Sequence, residues 1–156
     1  MADTRALDIK VSMNQGELDA GIKVAKRLVS EFTSEIRRSD AEMKAFGKTS
    51  DGLGTKKESL NKKLEAQNKQ MELLQASYEK QVKAGNDTSQ QTIKLKRDIN
   101  NLAGQMAKTE SEIEAVTAEM EDYTDVAGKA GTSTVNLYKK IGEADQQLKT
   151  YESELK

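Results

Sequence analysis

Residues 55–123 decide the fold, and they read TKKESLNKKLEAQNKQMELLQASYEKQVKAGNDTSQQTIKLKRDINNLAGQMAKTESEIEAVTAEMEDY. Their apolar side chains recur at alternating intervals of four and three residues, a repeat of seven that keeps one stripe of a helix, here called its seam, facing a partner helix. The first seam comprises Leu60, Leu64, Gln67, Met71, Leu74, Tyr78 and Gln81. The second comprises Leu95, Ile99, Leu102, Met106, Thr109, Ile113, Val116, Met120 and Tyr123. The spacing predicts two long helices of the coiled-coil type.

A helix stop and a helix start separate the two seams. Gly85 can adopt the left-handed conformation that closes a helix. Asp87, followed three residues later by Gln90, fits a capping box that opens the next helix. We therefore expect two arms, at about residues 55–84 and 88–124.

Charge favours folding of the two arms onto each other. Seven Lys and four acidic residues give residues 55–84 a charge of +3, whereas four basic and seven acidic residues give residues 88–124 a charge of −3. A fold at Gly85 lays Glu110, Glu112 and Glu114 beside Lys57, Lys62 and Lys63. Each exposed pair is worth only about 0–1 kcal/mol, so charge selects direction while the seam supplies stability. An antiparallel hairpin is preferred over a parallel bundle, which would stack the acids of several copies.

The composition suits narrow seams between helices rather than a large globular core. The chain has 156 residues, with no Pro, Cys, His or Trp, 35% hydrophobic residues and 33% charged residues. Without Pro, long helices can run uninterrupted. A net charge of −1 gives no general case for binding nucleic acid or anionic lipid. The sequence also shows no signal peptide and no apolar run long enough for a membrane segment.

Outward from the hairpin, the amino-terminal residues 1–13 contain a strand pattern. Leu7, Ile9, Val11 and Met13 alternate with polar residues, which is the period of a half-buried strand. A lone strand leaves its backbone hydrogen bonds unmade, so we expect it to pair with another copy or a partner protein.

A helix is predicted at residues 14–47, opened by a capping box of Asn14 and Glu17 and closed by Gly47. Its seam comprises Leu18, Ile22, Ala25, Val29, Phe32, Ile36, Ser39, Met43 and Phe46. Glycine-containing joints are predicted at 48–54 and 125–134, and a last helix at 135–156. That helix carries Leu137, Ile141, Ala144, Leu148, Tyr151 and Leu155 in heptad spacing without a stop signal, from which we expect the chain to be a fragment.

This composition offers few residue types that commonly act in catalysis. Without His or Cys, a base or nucleophile would have to be Asp, Glu, Lys, Ser, Thr or Tyr. The acidic clusters at 110–114 and 119–122 lie on one helix, where residues i and i+2 point about 200° apart and do not converge on an ion. Gly52 and Gly54 before Lys56 lack the strand and spacing of a phosphate loop. The sequence predicts no enzyme, no catalytic residue, no cofactor and no metal site.

The order of these parts resembles the amino-terminal region of tail tape measure proteins of long-tailed bacteriophages and prophages. The likeness lies in LDIKVSMNQGELDAGIKVAKRLVSEFTSEI at residues 7–36 and in residues 56–115. Within the latter, the first arm carries Leu64-Glu65-Ala66-Gln67 and Tyr78-Glu79-Lys80, and the turn carries Gly85-Asn86-Asp87-Thr88-Ser89. Family members are usually several times longer, and the hydrophobic segments and cell-wall-cleaving domains of some are missing from this sequence.

The resemblance implies a structural protein of the virion tail, made in the cytoplasm of the bacterial host. It would set tail length as an extended helical ruler in the tail-tube lumen, around which tube subunits assemble. The implied partners are other copies of itself, the tail tube, tail chaperones and distal tail or baseplate proteins, with no specific nucleic acid. The alternative from the residues alone is a generic coiled-coil scaffold or spacer of another bacterial assembly.

Overall fold

Three helices account for nearly all of the described chain. The computed structural model describes residues 13–154, except for the side chains of 127, 129–135, 148 and 150–154. Helix α1 is Gln15–Phe46, α2 is Ser50–Lys83 and α3 is Gln90–Glu154, and no described residue lies in a strand. The predicted helical class is therefore confirmed, while most of the predicted strand at 7–13 lies outside the described residues.

The chain divides into two compact units, one up to Thr117 and one from Ala118. The first unit holds α1, α2 and the first part of α3, and the second holds the rest of α3. The two units are taken separately below.

Helix α1 begins with the capping box that the sequence predicts. Asn14 Oδ1 accepts a hydrogen bond from the Glu17 backbone N–H at 2.9 Å, and Glu17 Oε2 accepts one from the Asn14 N–H at 3.0 Å. These reciprocal bonds satisfy two donors that a helix start leaves without partners. At its other end the helix closes at Gly47, where φ is 91°.

Helix α2 follows after only residues 47–49, so the predicted joint at 48–54 is mostly wrong. Thr49 caps α2, since its side chain accepts a hydrogen bond from the Gly52 backbone N–H at 3.0 Å. Leu53 is fully buried, and its burial offsets the cost of about 1 kcal/mol for each glycine in a helix. The Ser, Thr and Gly residues that resemble a loop in sequence form a cap and a first turn.

Helices α1 and α2 pack antiparallel over their whole length. Near one end, Gln15 Nε2 donates to Ser77 Oγ at 2.8 Å, and near the other, Ser39 Oγ donates to the Gly52 carbonyl at 3.1 Å. Closer to the Gln15 end, the absence of a side chain at Gly21 lets the helices approach, because a Cβ there would lie 3.0 Å from Leu73 Cδ1.

The turn from α2 to α3 is closed by Gly85, as predicted, with φ at 79°. The Gly85 N–H donates to the Val82 carbonyl and the Asn86 N–H to the Gln81 carbonyl, both at 3.0 Å, which is the Schellman arrangement. The predicted capping box of Asp87 and Gln90 is wrong. Ser89 Oγ instead accepts from the Thr92 N–H at 3.2 Å, so α3 starts at Gln90.

All three helices contribute to one hydrophobic core in the first unit. Helix α3 meets the others there through Leu95 and Leu102, which cluster with Leu73 and Leu74 of α2 and Leu18 of α1. The short connections at 47–49 and 84–89 make consecutive helices antiparallel neighbours. The unit is a small helical bundle, with the predicted α2–α3 hairpin extended by α1.

In the second unit, residues 118–154 are helical throughout. The interruption predicted at 125–134 is therefore wrong, and no separate last helix begins at 135. Gly128 and Gly131 lower helix propensity without ending the helix, because neither is accompanied by Pro or by a stop signal.

Candidate interaction surfaces

The seams predicted from the sequence lie at the buried faces of the bundle. In α3 every seventh residue is buried, at Leu95, Leu102, Thr109 and Val116, and the alternate seam residues Ile99, Met106, Ile113 and Met120 are half-buried. In α2 Leu60, Gln67 and Leu74 are buried, and Leu64, Met71, Tyr78 and Gln81 are half-buried. In α1 Leu18, Ile22, Ala25, Ile36 and Ser39 are buried, and Val29, Phe32 and Met43 are half-buried. Their use in binding another chain stays a prediction.

Helix α2 has a second buried stripe that the heptad spacing does not predict. Its residues are Ser59, Ala66, Gln70, Leu73, Ala76 and Ser77. Ser59 Oγ donates to Glu35 Oε2 of α1 at 3.2 Å, so this stripe faces α1 while the predicted seam remains for α3. The small residues Ser59 and Ala66, seven apart, are the sequence signal for this stripe, because a helix packed on two sides needs a second narrow face.

Polar side chains tie α1 to the end of the bundle where α2 turns into α3. Asn86 Nδ2 donates to Gln81 Oε1 at 3.2 Å, and Gln81 Nε2 donates to Gln15 Oε1 at 3.3 Å. Lys80 Nζ donates to the carbonyl of Met13. This network fixes where α1 begins relative to the α2–α3 turn.

Ion pairs in the described chain do not follow the predicted charge register. Lys62 Nζ pairs with Glu58 Oε1 of its own helix at 2.7 Å, and Lys56 Nζ pairs with Asp40 Oδ1 of α1 at 2.7 Å. No ion pair within the described residues joins Glu110, Glu112 or Glu114 to α2. Because long exposed side chains gain little from pairing, helix packing decides the register instead.

The Glu58–Lys62 pair is the place in the described chain where titration is clearly perturbed. The hydrogen bond from Lys62, with the attraction of its charge, lowers the pKa of Glu58 below its ordinary value. The same contact raises the pKa of Lys62. Both groups are exposed, so the pair belongs to a solvated surface rather than to a catalytic site.

Two open grooves lie along the α1–α2 hairpin. One, of about 320 Å³, surrounds the connection at Gly47 and includes Met43 and Phe46, the latter 87% exposed. The predicted seam thus fails at Phe46, the last residue of α1, because its side chain is exposed. The other, of about 220 Å³, is lined by Leu28, Phe32, Lys62, Glu65, Ala66 and Lys69. Both grooves are open to solvent, whereas a small-molecule site usually encloses most of its ligand.

The described residues contain neither a metal-binding cluster nor a membrane-spanning helix. No cluster of three acidic, His or Cys side chains there could hold a metal ion. No helix in the described part of the chain is long and apolar enough to cross a membrane. Comparison with protein-family models, curated proteins and solved structures finds no match to this chain.

The second unit exposes apolar side chains along its helix. Leu137 and Ile141 are 59% and 56% exposed, and Tyr123 is 41% exposed. All three are seam positions of the predicted heptad pattern. The described chain thus has one covered set of seams, in the bundle, and one uncovered stripe, in residues 118–154.

Proposed function

We propose that this chain is the amino-terminal region of a phage tail tape measure protein, which sets tail length as a helical ruler. The resemblance of residues 7–36 and 56–115 to that family supports the proposal. The observation that carries it furthest is that the described chain is helix apart from its first two residues and the short connections at 47–49 and 84–89. A helix converts residue number into distance at about 1.5 Å per residue, which is what a ruler requires.

The heptad seams of α2 and α3 suit coiled-coil packing, and the same seams can serve partner helices when the chain is extended. The strand pattern at residues 7–13 gives a separate contact, to another copy or to a tail protein. The partners proposed with this function are other copies, the tail tube, tail chaperones and distal tail or baseplate proteins.

The folded bundle is a poor ruler, because each helix runs back along the one before it and the chain gains little end-to-end length. The bundle is therefore either an end-anchor or a compact form that opens inside the tube. Distances between labels at Glu79 on α2 and Lys94 on α3, both exposed, separate these forms. Short distances in the free protein and in assembled tails alike would rule out opening.

Tail length is the direct test of the ruler. Deleting four heptads from residues 118–154 of the full-length gene product keeps the seam in phase and should shorten tails by about 42 Å. Electron microscopy of assembled tails measures this change. A matched control, Lys139→Ala, keeps the residue number and should leave tail length unchanged.

Tails of unchanged length after the deletion would contradict the ruler and favour the alternative of a coiled-coil scaffold or spacer. The neighbouring reading frames give a second, independent test. Genes for a major tail protein, a tail chaperone and a distal tail protein beside this one are expected if the proposal is right.

A further inference from the structure

The uncovered stripe of residues 118–154 is continuous in sequence with a packed seam. Single exposed apolar residues are ordinary on a protein surface, and Val126 and Tyr138 of this segment are exposed outside the stripe. Tyr123, Leu137 and Ile141, however, lie on one face of the helix. The sevenfold spacing that passes through the buried residues Leu95, Leu102, Thr109 and Val116 reaches Tyr123, Leu137 and Ala144. The spacing through Ile99, Met106, Ile113 and Met120 reaches Ile141.

At these positions the residues up to Met120 are buried or half-buried, whereas Tyr123, Leu137, Ile141 and Ala144 are exposed. Leu102 and Val116 are 3% and 4% exposed, whereas Leu137 and Ile141 are more than half exposed. A heptad seam is a surface for another helix, because its spacing gathers apolar side chains on one face, where an isolated helix would expose them to water. The stripe therefore lacks a helical partner.

We propose that the partner is the same segment of a second copy, in a parallel two-stranded coiled coil over residues 120–147. The choice of apolar residues favours two parallel strands. When the heptad positions are lettered a to g, Ile141 falls at a and Leu137 at d. A β-branched residue at a with Leu at d is the combination that parallel dimers prefer.

The flanking charges are complementary in the same arrangement. Lys140 occupies position g and Asp145 the following position e, and a parallel pair places g of one copy beside that e of the other. Lys140 and Asp145 therefore meet twice in the dimer. An antiparallel pair centred on Ile141 would instead bring the two Lys140 side chains together.

Within one copy, Asp145 Oδ2 pairs with Lys149 Nζ at 3.1 Å, and both side chains are largely exposed. Such a pair along a helix contributes little, so Asp145 can exchange it for Lys140 of the second copy. The inference deepens the proposed function by giving the surface for self-association. Its role in a tail rests on that function, while the contact itself rests on the stripe.

The test is the mass of the full chain in solution as a function of concentration, by sedimentation or light scattering. We expect a monomer–dimer equilibrium, and Ile141→Glu should raise the dissociation constant at least about a hundredfold, because two buried side chains are lost per dimer. Ile93→Glu is the matched control. Ile93 lies on the same helix, is 59% exposed and is not a seam residue, so its substitution should leave the dimer intact.

Both substitutions are at exposed positions, so circular dichroism should show a folded bundle in each variant. A monomer at all concentrations would overturn the proposal. So would an oligomer that Ile141→Glu leaves intact, or one that both glutamate variants dissociate equally.

Direction is tested with single cysteines, which report cleanly because the chain has none of its own. Ala144→Cys should form a disulfide with its equivalent in a parallel dimer, and Glu143→Cys, outside the stripe, should not. A dimer in which Ala144→Cys stays reduced under oxidising conditions would overturn the parallel arrangement. Self-association and tail length are measured separately. A chain that dimerises but whose heptad deletion leaves tail length unchanged contradicts the ruler alone. A chain that stays monomeric but whose heptad deletion shortens the tail contradicts the dimer alone.

Discussion

Gln67 is fully buried in the seam of α2, and neither polar atom of its amide has a hydrogen-bond partner. Several other buried polar side chains in the bundle have partners, as when Thr109 Oγ1 donates to the Gln105 carbonyl at 3.1 Å and Ser39 Oγ donates to the Gly52 carbonyl at 3.1 Å. A buried amide without partners costs about 1–3 kcal/mol. Gln67 is therefore a weak point of a core that is otherwise well satisfied.

Replacing Gln67 with Leu should stabilise the bundle. The apolar side chain fills a similar volume and removes the desolvation cost, so Gln67→Leu should raise the free energy of unfolding by about 1–3 kcal/mol, measured by urea denaturation. Gln81→Leu is the matched control, because Gln81 bonds to Gln15 and Asn86 and its loss should destabilise. A Gln67→Leu variant no more stable than the parent would show that the amide is satisfied in solution.

The sequence places Gln67 in the seam but cannot show that its amide lacks a partner, because that depends on side chains brought near it by other helices. Local signals are more readable. Asn14 and Glu17 predict their capping box correctly, since both partners lie within three residues of each other. At the start of α3, Asp87 and Ser89 are both residue types that cap helices, and only the course of the turn selects Ser89.

At the scale of elements, four glycines form two pairs with opposite effects. Gly47 and Gly85 end helices at positive φ, where a side chain is strained, whereas Gly54 and Gly104 lie inside helices with nothing near the place a Cβ would occupy. The first pair serves the turns, and the second lowers helix stability without contributing a contact.

Alanine substitutions should separate the two groups. Gly54→Ala and Gly104→Ala should each stabilise by about 0.5–1 kcal/mol, because alanine loses less conformational freedom in a helix. Gly47→Ala and Gly85→Ala should each destabilise by about 1 kcal/mol or more through backbone strain. Thermal unfolding of the four variants measures the difference, and a loss of stability in all four would contradict the assignment.

Element type was readable from the sequence, but element limits were less so. Gly52 and Gly54 predict a joint, but the burial of Leu53 stabilises the first turn of α2 enough for the helix to include them. At residues 125–134 the glycines predicted a joint, although the heptad spacing continues across them. Tyr123 and Leu137 are two whole heptads apart, which indicates one unbroken helix rather than two.

At the scale of the whole molecule, the bundle has a shared core and the helix of residues 118–154 exposes its seam. Backbone hydrogen bonds should therefore open more readily in the second unit. Amide hydrogen exchange of dilute protein should be faster in residues 118–154 than in α2, because a helix without packing frays locally.

Raising the protein concentration should slow exchange in residues 118–154 and leave the bundle unchanged, since only the exposed stripe gains a partner. Ile141→Glu should abolish that concentration dependence. Equal protection of both units in dilute protein would show that the second unit is already covered.

The network around Gln15 also determines how the bundle would bear tension. Residues 13–14 enter the bundle at the α2–α3 turn, and α3 runs from that turn toward the opposite end. A force that pulls residues 13–14 away from the far end of α3 in the bundle would slide α1 lengthwise past α2. Sliding loads the contacts of Gln15 with Ser77 and of Asp40 with Lys56 together, whereas peeling would break them one at a time. The bundle is thus connected in shear, the geometry in which many weak contacts resist a force jointly.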